Sequence, residues 1–190
     1  HDNRQSRIDP RTDLLNVRGF NELSELERQR ATHRGTTMSL LAIDLDLLRQ
    51  INNVHGHRAG DAVISEIGHR LLRISRRDDV VARIGGEEFV ALLPDVSEDV
   101  ALRVAERFRT AIGDTPSDAV AVGGPACLAL GVAESVFDRA DMALYAAKES
   151  GRNRVCGAST VPATPPTTDD DLASAAIEPV HQPEVALSRG

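Results

Sequence analysis

Four carboxylates lie at two points of this chain where they could act together. Asp44 and Asp46 stand at the end of a short, nearly all-apolar run, Met38 to Leu45. Glu87 and Glu88 follow Gly85-Gly86, between two β-type runs. If those runs are neighbours in one sheet, three or four carboxylates converge at one edge. Left uncompensated, they repel and raise one another's pKa values. A hard divalent cation resolves that conflict. Mg²⁺, held by few protein carboxylates and several waters, is the usual partner of nucleotide phosphates, with Mn²⁺ as its substitute. Gly85 and Gly86 carry no side chain, so a ligand can come close to the backbone there. Taken singly, each feature is weak. Gly-Gly-Glu-Glu alone is a polar exposed turn, and Asp44-x-Asp46 alone is a common pattern.

The elements that would position these groups are readable. Residues 38–45 read as a buried strand that delivers Asp44 and Asp46 at its C-terminal end. A helix over 17–33 places Phe20, Leu23 and Leu26 on one face. A short helix is expected around 47–53, then a turn at 56–60. Asp61 is expected to N-cap a helix with Ile64, Ile67, Leu71 and Ile74 facing inward. Val80 to Ile84 and Phe89 to Leu93 form a hairpin, its reversal made by glycines at positive φ and its end set by Pro94. Residues 97–113 form an amphipathic helix with Ala101, Val104, Ala105, Phe108 and Ile112 inward. Residues 119–122 and 126–132 are weaker strands. A last helix over 136–150 is stopped by Gly151. The interleaving predicts an α/β fold: a mixed central sheet with packed helices and one signature β-hairpin.

Composition bounds the alternatives. The chain has 190 residues, 41% hydrophobic and 27% charged, enough for one domain with a real core. The formal charge of -7 argues against a general nucleic-acid binder, so no nucleic-acid partner is expected. Two distant cysteines, Cys127 and Cys156, exclude a disulfide scaffold or zinc ribbon and fit a cytoplasmic location. The basic residues are Arg except for Lys148. From 156 to 190 the chain holds five of its nine prolines and an Asp169-Asp170-Asp171 run, and it reads as a disordered tail. Residues 1–8 read as the end of a linker, which leaves 9–155 as the folded unit.

Several separate segments resemble, in order, the GGDEF domain of the diguanylate cyclase family. Arg83-Ile84-Gly85-Gly86-Glu87-Glu88-Phe89 is similar to its signature, in a Gly-Gly-Glu-Glu-Phe form. Asp9-Pro10-Arg11-Thr12-Asp13-Leu14-Leu15-Asn16 is similar to its opening Asp-x-Leu-Thr-Gly-Leu-x-Asn. Asp44-Leu45-Asp46, Asn52, Gly56-His57 and Gly60-Asp61 follow its central block, and 140–148 with Gly151-Arg152-Asn153 its closing helix.

The resemblance implies a nucleotidyl cyclase or polymerase-palm-like fold. It also implies condensation of two GTP into cyclic di-GMP and two pyrophosphates by a homodimer. Asp44, Glu87 and the carbonyl of Leu45 would hold Mg²⁺. Glu88 would be a further ligand or would help deprotonate the 3′-hydroxyl. Asn52 and Asp61 would read guanine. Arg49, Gly85, Gly86, Lys148 and Arg152 would serve the substrate, with Lys148 and Arg152 one helical turn apart. Arg76 and Asp79, with five residues between Asp79 and Gly85, would form an inhibitory product site. An upstream regulatory or sensor domain would drive dimerisation. His57 would shape the guanine pocket.

Some positions depart from the family. Leu48-Arg49 replaces Phe-Lys, Asn53 replaces Asp, Asp13 replaces the opening Gly and Ala129 replaces Ser. Two other functions are consistent with the same residues. One is a catalytically poor domain that binds GTP or cyclic di-GMP. The other is a different metal-dependent phosphoryl-transfer enzyme, such as a nuclease.

Overall fold

A computed structural model describes residues 7–46, 48–113, 127–134 and 137–160. Five strands form one sheet: β1 (Met38–Asp46), β2 (Val80–Arg83), β3 (Glu88–Pro94), β4 (Cys127–Glu134) and β5 (Val155–Gly157). Their spatial order is β2-β3-β1-β4-β5. β1 is central and antiparallel to both β3 and β4, while β5 runs parallel to β4. The sheet is therefore mixed, as the sequence predicts.

Side chains alternate across a strand, and here both faces are covered. Leu41, Ile43 and Leu45 of β1, with Phe89 and Ala91 of β3, point into one core. That core is closed by α2 (Leu48–His55), α3 (His57–Ile74) and α4 (Glu98–Gly113). Leu40 and Ala42, with Val90 and Leu92, point into the other. It is closed by α1 (Val17–Arg34) and α5 (Phe137–Glu149). This explains why β1 is nearly all apolar before its acidic end: it is buried on both faces. The inward faces expected for α3 and α4 are observed, with Ile64, Ile67, Leu71, Phe108 and Ile112 buried. No helix among the described residues is long and apolar enough to cross a membrane.

Some expectations need correction. Leu26 is 47% exposed, because the inner face of α1 is made by Gly19, Phe20, Leu23 and Ser24. Asp61 is not an N-cap. α3 begins four residues earlier, at His57, after Gly56 takes φ +82°. Gly85 and Gly86 do not adopt the left-handed φ expected of them. The loop reverses instead through two backbone bonds, Ile84 and Gly85 N–H both donating to the Glu88 carbonyl at 3.0 and 3.4 Å. The fold also continues past 155: β5 pairs with β4, and Ala158 is buried. The strand read at 119–122 and the tail from 161 lie outside the described residues.

The opening segment belongs to the fold. Leu15 bridges Ile8 and also Ala82, so it covers the outer edge of β2. Asp13 takes φ +58°, the conformation that the family's Gly supplies without strain, and Asp tolerates it better than most residues. Its Oδ2 lies 3.3 Å from His69 Nε2 on α3.

Phe89 is fully buried at the base of the glycine loop, opposite Ile43. Phe89→Ala is expected to cost about 3–5 kcal/mol and Phe89→Leu clearly less, because the smaller cavity collapses more readily. Urea unfolding of both variants measures the difference; equal costs would show that Phe89 does not fill a packed site.

Candidate active site

The strand pairing brings the two acidic points together. Asp44 stands opposite Glu88 in the β1–β3 register. One step on, Leu45 N–H donates to the Glu87 carbonyl at 3.1 Å. The end of the central strand and the tip of the glycine loop are thus hydrogen-bonded neighbours.

Two cations from the end of α5 meet these carboxylates. Lys148 Nζ lies 3.0 Å from Asp44 Oδ2. Arg152 Nε lies 3.8 Å from Asp46 Oδ1. The expected i, i+4 spacing on one helix is corrected here. α5 ends at Glu149, and Arg152 follows Gly151 in a turn at φ +59°. That turn sends Arg152 to the same cleft and lets Asn153 N–H donate to Asp46 Oδ2 at 3.0 Å. Asp46 Oδ1 is buried with no hydrogen-bond partner among the described residues.

A cleft of roughly 320 Å³ opens here, walled by Asp44, Asp46, Glu87, Lys148 and Arg152, with Leu48, Arg49 and Gln50 from the start of α2. Gly86 leaves open space where a side chain would stand. Gly85 is in close contact instead: the end of the Glu88 side chain lies over it, and a Cβ there would meet Oε2 at 2.5 Å, so a larger residue would make Glu88 change rotamer. Glu88 therefore folds back over Gly85 and does not wall the cleft.

Burial pushes the carboxyls of Asp44, Asp46, Glu87 and Glu88 above their ordinary values. The charge of Asp44 raises Asp46, Glu87 and Glu88 further, and Lys148 offsets part of the effect on all four. Among the described residues, no three His, Cys, Asp or Glu groups are already gathered as metal ligands. The donor chemistry nevertheless fits a hard cation. These are oxygen donors that repel one another, two of them buried (Asp44, Asp46) and two half-buried (Glu87, Glu88), and the buried Asp46 Oδ1 has no hydrogen bond.

Other expected residues lie outside this cleft. Asn52 sits where α2 folds against α3, and a Cβ on Gly60 would meet its Oδ1 at 2.0 Å. That oxygen is buried without a hydrogen-bond partner. The Asp61 carboxylate is ion-paired with Arg11. His57 is exposed at the start of α3. Arg76 and Asp79 form a separate turn: Arg76 N–H donates to Asp79 Oδ2 at 2.7 Å, and Asp79 N–H donates back to the Arg76 carbonyl at 3.2 Å. Both border a second cleft of roughly 330 Å³. Burial raises the Asp79 carboxyl, and its bond to the Arg76 backbone lowers it.

Arg83 is a site residue that motif reading missed. Its Nη2 donates to the Gly86 carbonyl at 2.9 Å, and its Nη1 lies 3.3 Å from Asp9 Oδ2. It ties the opening turn to the tip of the glycine loop. The available signal was a charged residue immediately before an apolar-Gly-Gly turn.

A mixed sheet with its central strand ending in buried acids, facing a glycine hairpin, defines a palm-like α/β domain. The family model described as diguanylate cyclase, GGDEF domain, matches residues 6–154, and the chain belongs to that family. It is 40% identical over 167 residues to the uncharacterized protein YhcK of Bacillus subtilis, covering 80% of this chain and 45% of that one. It is 39% identical over 163 residues to diguanylate cyclase DgcP of Pseudomonas aeruginosa, covering 81% and 24% respectively. The chain thus spans less than half the length of these curated relatives. The GGDEF domain of DgcB from Caulobacter crescentus, solved in complex with c-di-GMP, superposes with a TM-score of 0.77 at 31% identity, covering 84% of this chain and 100% of that one.

The raised carboxyls have a consequence for stability. Their native pKa values exceed the unfolded ones, so the folded state binds more protons between the two. That stabilising contribution is full below about pH 4 and is lost as pH rises through the raised values. Glu87→Gln is therefore expected to raise Tm at pH 7 in metal-free buffer and to leave it nearly unchanged at pH 4. Melts at both pH values test this; a lower Tm at pH 7 would show that the Glu87 charge is well compensated.

Proposed function

We propose that this chain is the cyclase module that condenses two GTP into cyclic di-GMP, releasing two pyrophosphates. The observation that carries the reading is the register that sets Asp44 opposite Glu88, with Glu87 at the cleft. Asp44, Glu87 and the Leu45 carbonyl would hold Mg²⁺, or Mn²⁺ in its place. When bound, the ion supplies charge neutralisation at the triphosphate and polarises the reacting oxygens.

The chain's own residues supply the rest. Lys148, Arg152 and Arg49 set positive charge against the phosphates, and Lys148 exchanges its partner Asp44 for them. The first N–H groups of α2 face the same anion. Gly86 leaves room for the substrate at the loop. Glu88, its carboxyl raised by burial and by Asp44, would be a further metal ligand or would help deprotonate the 3′-hydroxyl. Asn52 and Asp61 would read the guanine edge by paired hydrogen bonds that adenine cannot satisfy.

Each module binds one GTP, so closing the cyclic product takes two modules face to face. Activity would then depend on homodimerisation driven by an upstream sensor region. Arg76 and Asp79 would take up the product and hold the modules apart. The relatives named diguanylate cyclase and the structure solved with c-di-GMP support this reading.

Incubation with GTP and Mg²⁺, followed by separation of the nucleotides, tests it at several protein concentrations. Cyclic di-GMP is expected, at a rate per molecule that rises with protein concentration. GTP binding without product, even in forced dimers, would instead make this a regulatory binding domain; hydrolysis of nucleic acid, indifferent to guanine, would make it a nuclease. Glu87→Gln is expected to abolish turnover, and undiminished activity would discard the metal assignment. Asn52→Ala is expected to raise the GTP requirement by roughly 10-fold. Arg76→Ala is expected to relieve product inhibition while the initial rate stays intact.

A further inference from the structure

The opening turn sets a cation on the carboxylate assigned above to the base. Arg11 Nη1 donates to Asp61 Oδ1, a contact between residues 50 positions apart. The backbone under Arg11 is held firmly. Arg11 N–H, Thr12 N–H and Thr12 Oγ1 all donate to Asp9 Oδ1, at 3.2, 3.0 and 2.8 Å. Arg83, at the end of β2, binds the same carboxylate, and Thr12 is fully buried. Arg11 therefore projects from a fixed point.

The pair itself is open to a ligand. Its side chains are 40% and 48% exposed. An exposed ion pair of this kind contributes little to stability, so the fold does not require it. Arg11 also stands where the opening pattern has Leu. Next to the pair, Asn52 Oδ1 is buried without a hydrogen-bond partner, against Gly60, the residue before Asp61.

The order of donors and acceptors here fits one kind of base. Guanine presents an amine and N1–H, both donors, beside the O6 acceptor. A carboxylate takes the donors. An arginine gives to O6, the commonest specific arginine contact to guanine in nucleic-acid recognition. Arginine carries five N–H donors in a planar fork, so a contact to Asp61 through Nη1 is compatible with a second one to the base. Adenine reverses both positions, with an acceptor at N1 and an amine at C6.

We propose that Arg11 is a second base-reading residue, which donates to the O6 of a 6-oxopurine held by Asp61. This inference rests on the reading of Asp61 as a guanine contact.

Equilibrium binding of GDP and 6-thio-GDP to the full chain tests it without turnover, because the thio analogue changes only the acceptor at C6. The wild-type chain is expected to prefer GDP by roughly 10-fold. Arg11→Leu is expected to lose that preference by weakening GDP alone. Asp61→Asn is expected to weaken both nucleotides alike and leave the ratio intact. Circular dichroism melts establish that each variant is folded, and Arg11→Gln, which keeps one amide donor, gives an intermediate ratio if Arg11→Leu does not fold. An unchanged ratio in the folded Arg11 variants, with Asp61→Asn weakened, overturns the role of Arg11 alone. Tighter GDP binding by Arg11→Leu also overturns it, since Arg11 would then merely cover Asp61. No GDP binding by the wild type, or undiminished binding by Asp61→Asn, overturns the Asp61 reading and this inference with it.

Discussion

One backbone contact governs the chemistry of this domain. Leu45 N–H donates to the Glu87 carbonyl, which ties the end of the central strand to the tip of the glycine loop. The carboxylates of Asp44, Glu87 and Glu88 must then share one poorly solvated edge. Desolvation and mutual repulsion push their pKa values up, and Lys148 relieves only part of that. The rest of the sheet withstands this conflict. Two apolar cores hold β1 on both faces, and neither strand can withdraw without exposing them.

The second organising feature is the opening turn. Asp9 accepts from Thr12 and Arg11 on its own side and from Arg83 across the sheet edge. Arg83 in turn holds the Gly86 carbonyl. Two polar contacts therefore link the opening turn to the glycine loop. The same turn carries Arg11 to Asp61 and Asp13 to His69, so it also grips α3.

Much of the fold was legible because burial leaves a periodic trace. β1 is recognisable as a nearly all-apolar run, since both of its faces are covered. The stripes of α3 and α4 follow helical spacing, since each packs one face only. β5 left no such trace. Val155-Cys156-Gly157 is three residues long, too short to alternate, and its parallel pairing with β4 is not written in its own sequence. Gly85 and Gly86 misled for a related reason. Adjacent glycines serve either a left-handed turn or close approach, and only the folded backbone shows that neither turns left-handed and that Glu88 lies over Gly85 alone.

The sequence by itself determined which residues carry charge, which stripes must be buried, and the order of segments that marks the family. Those properties are local, read from residue type and spacing. The tertiary structure alone decided which charges meet. Asp44 faces Glu88 because of strand register. Arg152 reaches Asp46 because the chain turns after α5, and Arg11 reaches Asp61 because a hydrogen-bonded turn aims it there. Contacts between distant residues depend on how buried surfaces dock, and no single segment encodes that.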